Sequence, residues 1–201
     1  MISIAITVCN EHKELKSLLD FLEENALHDQ YEVIIQIDKN NYTEDVIGVI
    51  VNRGIKHYFY PLNNDFASFK NNLFKECSGD YIFQLDADEI PNMELIRNLP
   101  EIIETNSNID LFLVPRDNRV EGLTQEHVKK WGWKVDNLGR INFPDYQTRI
   151  YKNTPDIKWV NKVHERIEGF KTYTSLPDGY FLHHNKTIEK QEKQNNYYDT
   201  L

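Results

Sequence analysis

Apolar runs and amphipathic segments alternate through residues 1–86, and this alternation restricts the possible fold more than any other feature. The apolar runs are rich in β-branched residues, which favours strands, whereas the segments between them have apolar residues at helical spacing. Strands that alternate with helices pair in parallel through right-handed crossovers, so this region predicts an α/β sandwich. The predicted strands are residues 2–8, 31–38, 56–61 and 80–86, and the predicted helices are residues 10–26, 43–52 and 65–77.

The first strand and the first helix illustrate the two patterns. Residues 2–8, ISIAITV, form an almost uninterrupted apolar run, which is typical of a strand buried on both faces of a parallel sheet. Leu15, Leu18, Leu19 and Leu22 then follow at helical spacing and form one apolar face. No basic segment precedes the first apolar run, so we expect a first strand there and not a secretory signal peptide.

The second half of the sequence lacks this regular alternation. Its middle part has the short apolar runs of a mixed, partly antiparallel region, and the helical pattern before it is interrupted at Pro100. We therefore predict a Rossmann-like, mixed but mainly parallel sheet sandwiched by helices. A single domain over residues 1–201 is expected, which a longer natural protein could contain. The predicted elements are helix 93–105, strand 109–117, the irregular region 116–162, strand 179–184 and helix 186–201.

Charge and cysteine content exclude several classes of partner and site. The formal net charge of −9 argues against a nucleic-acid partner, because phosphate contacts need clustered Lys and Arg. Cys9 and Cys77 lack zinc-finger spacing and suit small buried side chains in a reducing compartment, so we expect a cytoplasmic protein. No stretch approaches the ~20 apolar residues that a membrane-spanning helix requires, so no membrane span is expected. The sequence does not predict an oligomeric state.

Three carboxylates stand at the end of a predicted buried strand, in the segment DYIFQLDADEIP at residues 80–91. Asp86, Asp88 and Glu89 repel one another and are costly to remove from water. The alternative is a turn in which Asp88 caps the next helix, because Asp favours such positions. However, open α/β sheets bind ligands at the carboxyl ends of their strands, and Mg²⁺ or Mn²⁺ would balance the charges there. The strand end therefore favours a metal and ligand site.

Four segments together resemble the family 2 glycosyltransferases of the glycosyltransferase A fold. They are TVCNE after the first strand, QID after the second, DFASFKNNLFKECSGDYIFQLDADE, and VHERI in the second half. The group with the greatest resemblance comprises small bacterial and viral enzymes similar to lipopolysaccharide-core glucosyltransferases. The resemblance implies a Mn²⁺- or Mg²⁺-dependent, inverting transfer of glucose, galactose or rhamnose from a UDP-sugar to a hydroxyl of a glycan or glycoconjugate. It also implies a nucleotide-binding half, residues 1–90, and an acceptor-binding half, residues 91–201.

The same resemblance implies roles for individual residues. Asp86 would contact the ribose or bridge to it through the metal, Asp88 would bind the metal directly, and Glu89 would face the donor sugar. Arg149 lies in the family-like segment QTRIY, where it is expected either to contact the diphosphate or to form a salt bridge within the sheet. The positions expected to lie near the nucleotide are Thr7, Glu11, Asp38 and Lys70.

The acceptor hydroxyl must lose a proton to a group within hydrogen-bond reach. In related enzymes a carboxylate in the VHERI region serves as the base, which implies Glu165. Asp145, in FPDYQTR, is the second candidate. The alternative for Glu165 is a surface carboxylate paired with a neighbouring Arg or Lys, which would contribute little.

Two further features of the second half remain open at the level of sequence. His183 and His184 follow apolar strand residues and point to opposite faces if the strand is regular, so at most one reaches the site. The family pattern favours His183 as the metal ligand over a structural histidine. Trp131 and Trp133 flank a glycine, and either could stack on a sugar or anchor a loop.

Two other classes of function compete with glycosyl transfer. A sugar nucleotidyltransferase also uses acidic metal sites on a doubly wound sheet, but it normally needs a glycine-rich phosphate loop after the first strand. The first glycine of this chain is Gly48, which argues against that class. A nucleotide-sugar or glycan-binding domain without turnover is the second alternative, and intact Asp86, Asp88 and Glu165 argue against it. The sequence names neither the donor sugar nor the acceptor.

Overall fold

The computed structural model describes residues 1–26 and 29–198. Its helices are α1 His12–Asn25, α2 Glu44–Val51, α3 Phe66–Phe74, α4 Met93–Thr105, α5 Gln125–Trp131 and α6 Ile188–Tyr198. Its strands are β1 Ile2–Val8, β2 Tyr31–Asp38, β3 Lys56–Tyr60, β4 Tyr81–Asp86, β5 Glu89–Pro91, β6 Leu111–Glu121, β7 Ile141–Lys152, β8 Lys158–Val160, β9 Arg166–Glu168, β10 Tyr173–Ser175 and β11 Leu182–Thr187. The helix that we predicted at 186–201 begins two residues later than expected, and residues 199–201 lie outside the described part.

The main sheet has the strand order β3-β2-β1-β4-β7-β6-β11-β5, with β10 also paired to β6. The strands β3, β2, β1 and β4 are parallel, as are β6 and β11. β7 runs antiparallel between β4 and β6, and β5 runs antiparallel to β11. A separate antiparallel hairpin is formed by β8 and β9. The predicted fold class, a mixed but mainly parallel sheet with helices against it, is confirmed, whereas the single domain over 1–201 stays a prediction.

Alternate residues of β1 fill two apolar cores, one on each face of the sheet. Ile4 and Ile6 lie in the larger core together with the leucine face of α1. Ala5 lies in the smaller core, which includes Trp159 and Ile167 from the β8–β9 hairpin. The expectation that this strand is buried on both faces is therefore correct, and the burial explains its continuous apolar sequence.

Pro100 lies inside α4 without breaking it, so the predicted interruption is wrong. A proline has no N–H, which leaves the carbonyl of Ile96, four residues earlier, without its helical donor. The Tyr31 hydroxyl donates a hydrogen bond of 2.6 Å to that carbonyl. Because a tertiary contact satisfies this buried acceptor, the helix continues to Thr105.

The β8–β9 hairpin leads into the cleft described below, and its geometry depends on Gly169. This glycine has a φ of +92°, and a Cβ placed on it would collide with the backbone carbonyl of Asp156. We expect Gly169→Ala to destabilise the protein by roughly 2 kcal/mol or more, because both the backbone conformation and the space require glycine. Chemical denaturation measures the change, with Gly179→Ala as the control.

At Gly179 an added Cβ meets nothing within 4 Å and φ lies outside the left-handed range, so that variant should change stability by less than ~0.5 kcal/mol. Equal stability of the two variants would show that the hairpin tolerates a side chain at Gly169.

Among the described helices, none is both long enough and apolar enough to cross a membrane.

Candidate active site

A cleft of about 640 Å³ opens at the carboxyl ends of β1 and β4. These strands pair in parallel with Thr7 opposite Asp86, which brings their last residues to the same edge of the sheet. Seven of the residues predicted from the sequence line this cleft, namely Thr7, Glu11, Lys70, Asp86, Asp88, Arg149 and Glu165. The strand-end site is thus in the position expected for an open α/β sheet.

Asp86 is held by hydrogen bonds on both carboxylate oxygens. The Thr7 hydroxyl donates to Oδ1 at 3.1 Å, and Nη2 of Arg149 donates to Oδ2 at 2.8 Å. Burial acts to raise the pKa of Asp86, but the nearby charges of Lys70 and Arg149 outweigh it and hold this pKa well below its usual range. Asp86 is therefore ionised and fixed in orientation.

Asp88 faces two basic side chains of β11. Its Oδ2 lies 3.5 Å from Nε2 of His184 and 3.7 Å from Nζ of Lys186. Burial again opposes ionisation, but the hydrogen bond and charge of His184 and the charge of Lys186 lower the pKa of Asp88. Two residues apart along the chain, Asp86 and Asp88 thus have different partners, Arg149 for the first and His184 for the second.

Glu89 does not face the cleft, so the expectation that it contacts the donor sugar is corrected. Its side chain is 0% exposed and lies in a buried ion-pair cluster. Nε and Nη2 of Arg149 each donate to it at 2.7 Å, and Nη1 of Arg116 donates at 3.1 Å. A buried carboxylate needs such partners, and two guanidinium groups provide them here. Glu89 is the first residue of β5, and two residues that belong to neither strand separate it from the end of β4. The alternation of strand faces is interrupted there, so the sequence alone does not show on which side the Glu89 side chain lies.

Arg149 is largely committed to this cluster. Its side chain is 6% exposed, and both Nε and Nη2 donate to carboxylates within the protein. Of the two roles considered from the sequence, the salt bridge within the sheet is the one that the structure contains. Burial lowers and the charges of Glu89 and Asp86 raise the pKa of Arg149, and the net shift is upward, so the guanidinium is permanently charged.

Glu165 and Lys70 form an ion pair on the opposite wall of the cleft. Nζ of Lys70 lies 2.7 Å from Oε1 of Glu165 and 4.4 Å from the centre of the Trp159 ring. The Glu165 side chain is 18% exposed, so it keeps access to the cleft while it remains paired. The β8–β9 hairpin carries this carboxylate to the third helix, a contact between residues 95 positions apart.

Asp145 is held more tightly and does not line the main cleft. Arg116 donates to its Oδ2 through Nε at 3.0 Å and Nη2 at 2.8 Å, and Asn118 donates to the same oxygen at 2.8 Å. Gln147 donates to Oδ1 at 2.8 Å. Burial acts to raise the pKa of Asp145, but the charge of Arg116 and these hydrogen bonds bring about a net lowering.

Two further predicted residues shape the loops around the cleft. Oε2 of Glu11 accepts hydrogen bonds from the backbone N–H groups of Cys9 and Asn10. Asp38, 4% exposed, accepts from the backbone of Asn40 and Leu62 and does not line the cleft. Both carboxylates therefore fix the turns that follow β1 and β2.

The two neighbouring histidines lie on opposite faces of β11, and the one selected from the sequence is the wrong one for this cleft. His183 packs edge-on against Phe181, with ring centres 4.8 Å apart, and lies near Asp117. Burial is the main cause that lowers the pKa of His183. His184 lines the cleft beside Asp88, and its Nδ1 makes a 2.6 Å hydrogen bond with Oδ1 of Asn118. The register of β11 with β5 and β6 determines which of the two histidines faces the cleft. This register depends on long-range pairing and cannot be derived from the local sequence.

Sequence reasoning missed Arg116 and Lys186, which also line the cleft. Arg116 bridges Glu89 and Asp145, and Lys186 lies between Asp88 and Gln194. The only signal for Arg116 is a basic residue that interrupts the apolar run of β6. The cleft therefore combines several cations with several carboxylates in a protein whose net charge is −9, and such local cations are what an anionic ligand requires.

A divalent cation such as Mg²⁺ or Mn²⁺ needs oxygen or nitrogen ligands, and the cleft offers a few of them. Within residues 1–26 and 29–198, no three His, Cys, Asp or Glu side chains are arranged to hold a metal ion. Asp88 and His184 nevertheless offer a carboxylate oxygen and an imidazole nitrogen 3.5 Å apart. Mg²⁺ and similar ions in nucleotide sites are commonly held by one or two protein groups together with substrate phosphates and water. The residues fit a cation that the substrate helps to bind.

Comparisons with known proteins agree with this architecture. The profile of the family described as Glycosyl transferase family 2 matches residues 3–175. No curated protein sequence gives a match. The structure of S. aureus TarS 1-349 in complex with UDP is similar at a TM-score of 0.67 and 17% identity, over 92% of this chain and 60% of that one.

The complex of the same TarS fragment with UDP-GlcNAc gives a TM-score of 0.66 and 16% identity, over 92% of this chain and 58% of that one. A longer TarS structure is similar to the same degree, but the present chain covers only 36% of it. At this level of identity the likeness shows the fold. The chain spans about 60% of the length of the shorter TarS fragment.

Proposed function

The chain belongs to glycosyl transferase family 2, and on that premise we propose that it transfers a sugar from a UDP-sugar to a hydroxyl group of a glycan or glycoconjugate. The observation that carries the proposal is the cleft itself, where Asp86 and Asp88 at the end of β4 lie across from the Lys70–Glu165 pair. Anion-binding cations and a carboxylate that can accept a proton share one site. These are the groups that displacement of a nucleoside diphosphate by a hydroxyl needs.

We propose that the donor diphosphate binds between Lys70 and the end of β4. Lys70 supplies a nearly buried positive charge, which is worth more in a partly dry cleft than in water. Asp88 and His184 are the residues that would hold a divalent cation, and such a cation supplies Lewis-acid neutralisation of the leaving diphosphate when it is bound. Asp86, which Thr7 and Arg149 hold in place, is proposed to contact the ribose.

Glu165 is the proposed base. It would accept the proton of the acceptor hydroxyl while that oxygen bonds to the anomeric carbon and the bond from this carbon to UDP breaks. Attack from the face opposite UDP would invert the anomeric centre. Glu165 is preferred over Asp145 because it lines the main cleft, whereas Asp145 accepts hydrogen bonds from three side chains and has a lowered pKa.

Replacement of Glu165 by Gln tests this assignment. We expect kcat for sugar transfer to fall by about 100-fold or more, because the amide cannot accept the proton, with little change in donor binding. The measurement is steady-state UDP release with saturating donor, together with UDP binding by calorimetry. Glu168→Gln is the matched control, since Glu168 lies three residues after Glu165, is exposed and pairs with Arg166 on the surface. Normal kcat in Glu165→Gln, together with a loss in Asp145→Asn, would transfer the role to Asp145.

The function as a whole is tested by UDP release from a panel of UDP-sugars in the presence of Mn²⁺ or Mg²⁺. UDP-GlcNAc belongs in the panel because the similar TarS structure contains it, and UDP-glucose, UDP-galactose and UDP-rhamnose complete it. We expect at least one donor to be hydrolysed, and the activity to disappear when a chelator is added. Binding of donors without any hydrolysis or transfer would support a non-catalytic nucleotide-sugar-binding domain instead.

A further inference from the structure

A second cavity of about 260 Å³ adjoins the main cleft, between β6, β11 and the C-terminal helix α6. Four residues line both cavities, Arg116, His184, Lys186 and Gln194, so the two spaces meet at the acidic end of the sheet. Its volume lies just below the ~300–1,000 Å³ typical of sites for drug-sized ligands, which suits a single sugar ring. Of the residues given roles above, His184 lies at the junction of the two cavities and the alternative base Asp145 lines this second one, whereas Asp86, Lys70 and Glu165 line only the main cleft.

Its walls combine five side-chain amides with charged side chains and one tryptophan ring. The amides come from β6, β7 and α6, and the tryptophan lies in the segment before β7. We call this space the amide pocket, and its amides are Asn118, Asn142, Gln191, Gln194 and Asn195, around the ring of Trp133. Each amide has both donor and acceptor atoms, as does a sugar hydroxyl. Some of these atoms already have internal partners, since Asn118 donates to Asp145, Lys186 donates to Gln194 and Gln191 donates to Asn195. The hydroxyls of a ligand would therefore bond to the remaining N–H groups and oxygen lone pairs. An apolar aromatic face beside several amides is the combination that a saccharide ring requires, since its C–H face packs on the aromatic ring while its hydroxyls bond to polar groups.

Trp133 is fixed from behind, which makes it a rigid surface. Its ring lies 4.6 Å from that of Trp131, which in turn stacks on His127 at 5.1 Å. His127 belongs to the capping box of α5, where it pairs with Thr124. Trp131 is therefore the anchor of this segment, and of these two tryptophans it is Trp133 that lines the amide pocket. A pre-ordered aromatic group loses little conformational entropy when a ligand packs on it.

The charges around the amide pocket favour a neutral ligand. Each cation in its wall already has a carboxylate within ion-pair distance: Arg116 with Asp145, Arg119 with Asp117, and Lys186 with Asp88. An additional phosphate or carboxylate on the ligand would have to compete with these internal partners. It would also lie beside Asp145, a carboxylate that lines this pocket and does not line the main cleft. Neutral hydroxyl groups can bond to the amides without displacing an ion pair.

We propose that the amide pocket is the subsite for the acceptor, and that it binds a neutral saccharide ring stacked on Trp133 with a hydroxyl directed to the junction with the main cleft. This inference rests on the proposed glycosyl transfer, which it extends to the chemical class of the acceptor. The residues at the junction, Arg116 and His184, also border Asp88 or Glu89, so a ring in the pocket would lie next to the donor site.

The test separates acceptor binding from donor chemistry. Methyl α- and β-glycosides of glucose, galactose and N-acetylglucosamine serve as probes, and saturation-transfer NMR measures their binding without requiring any turnover. We expect at least one glycoside to bind and to accelerate UDP release above the rate of hydrolysis. For Trp133→Ala, we expect the dissociation constant and the KM of that glycoside to rise by about tenfold, the size of effect given by loss of an aromatic stacking partner.

Three comparisons make the outcome decisive. Trp133→Phe should recover most of the affinity, and Tyr173→Ala, which removes an aromatic ring that is 62% exposed on β10, should change nothing. Thermal stabilisation by UDP should be equal in Trp133→Ala and the parent protein, which shows that the fold and the donor site are intact. Donor hydrolysis without binding of any neutral glycoside, binding unaffected by Trp133→Ala, or stimulation only by phosphorylated glycosides would each overturn the proposal. Absence of donor hydrolysis with normal glycoside binding would count against the proposed transfer reaction and leave the saccharide subsite supported.

Discussion

Replacement of Asp88 by alanine is expected to reduce metal-dependent UDP release to the level measured with a chelator. Asp88 is the cleft carboxylate that lies beside His184, and its oxygen is the hard ligand that this part of the site can offer to Mn²⁺ or Mg²⁺. Without Asp88 the site would lose a ligand for the divalent cation, which is the main proposed counter-charge for the leaving diphosphate. Electrostatic stabilisation of this kind is often the largest contribution to catalysis. The assay is UDP release across a Mn²⁺ titration for the donor identified from the panel.

A second readout is needed, because a loss of activity alone does not identify a ligand. The melting temperature in the presence of UDP should rise with Mn²⁺ in the parent protein and should not rise in Asp88→Ala, because the bound ion stabilises only the folded state. Asp80→Ala is the matched control, since Asp80 directly precedes the same strand and its side chain is 84% exposed and pairs with the terminal amine. Near-normal rates in Asp88→Ala would refute the proposed cation site.

The adjacent histidines sharpen the same experiment. His184→Ala should weaken the Mn²⁺ response, because His184 lines the cleft, whereas His183→Ala should leave it unchanged, because His183 packs against Phe181 on the other face. The opposite result would restore the assignment made from the sequence. Since the two residues are neighbours in one strand, both variants perturb β11 to a similar extent and each serves as a control for the other.

The parallel half of the fold could be predicted from the sequence because its signals are local. The apolar run of β1 and the leucine face of α1 specify their own structures, and the end of β4 at Asp86 was placed correctly. The long antiparallel strand β7 was missed as a single element. β7 pairs with β4 and β6, which are distant from it in sequence. The first part of β7 has exposed positions between partly buried ones and contains several polar residues, so its sequence resembles that of a loop.

The candidate site was predictable as far as strand ends alone determine it. Thr7 and Asp86 meet because their strands are parallel neighbours, a consequence of the alternation itself. The environment of Glu89 was not predictable, because its main partner Arg149 lies 60 residues away on β7, a strand that was not predicted as one element. The preference between His183 and His184 depended in the same way on strand register. Sequence patterns thus identified the acidic edge, and long-range pairing determined which side chains complete it.

The buried cluster around Arg149 leads to the second large effect. Replacement of Arg149 by methionine is expected to destabilise the fold by roughly 3–5 kcal/mol, because it removes one member of a buried ion pair and leaves the other charge with fewer partners. Glu89 is 0% exposed and would keep one guanidinium partner, Arg116, beside the backbone N–H of Asp86, while Asp86 would lose its 2.8 Å contact with Nη2. Urea denaturation at neutral pH measures the loss. Arg166→Met is the control, since Arg166 is 64% exposed and pairs on the surface, where such a pair contributes only ~0–1 kcal/mol.

The acid dependence of stability gives this prediction a second signature. The folded-state pKa of Asp86 lies below its ordinary value of 3.8, so its ionised form stabilises the fold above that pH, and the contribution is lost as the pH falls towards the folded-state pKa. Arg149 is one cause of the lowered pKa, so Arg149→Met should weaken this loss below about pH 4 and flatten the stability curve there. In the double variant Glu89→Gln with Arg149→Met, no unpaired charge is left at Glu89, and part of the lost stability should return. A loss in the double variant equal to the sum of the two single losses would show that Glu89 and Arg149 do not act as a pair.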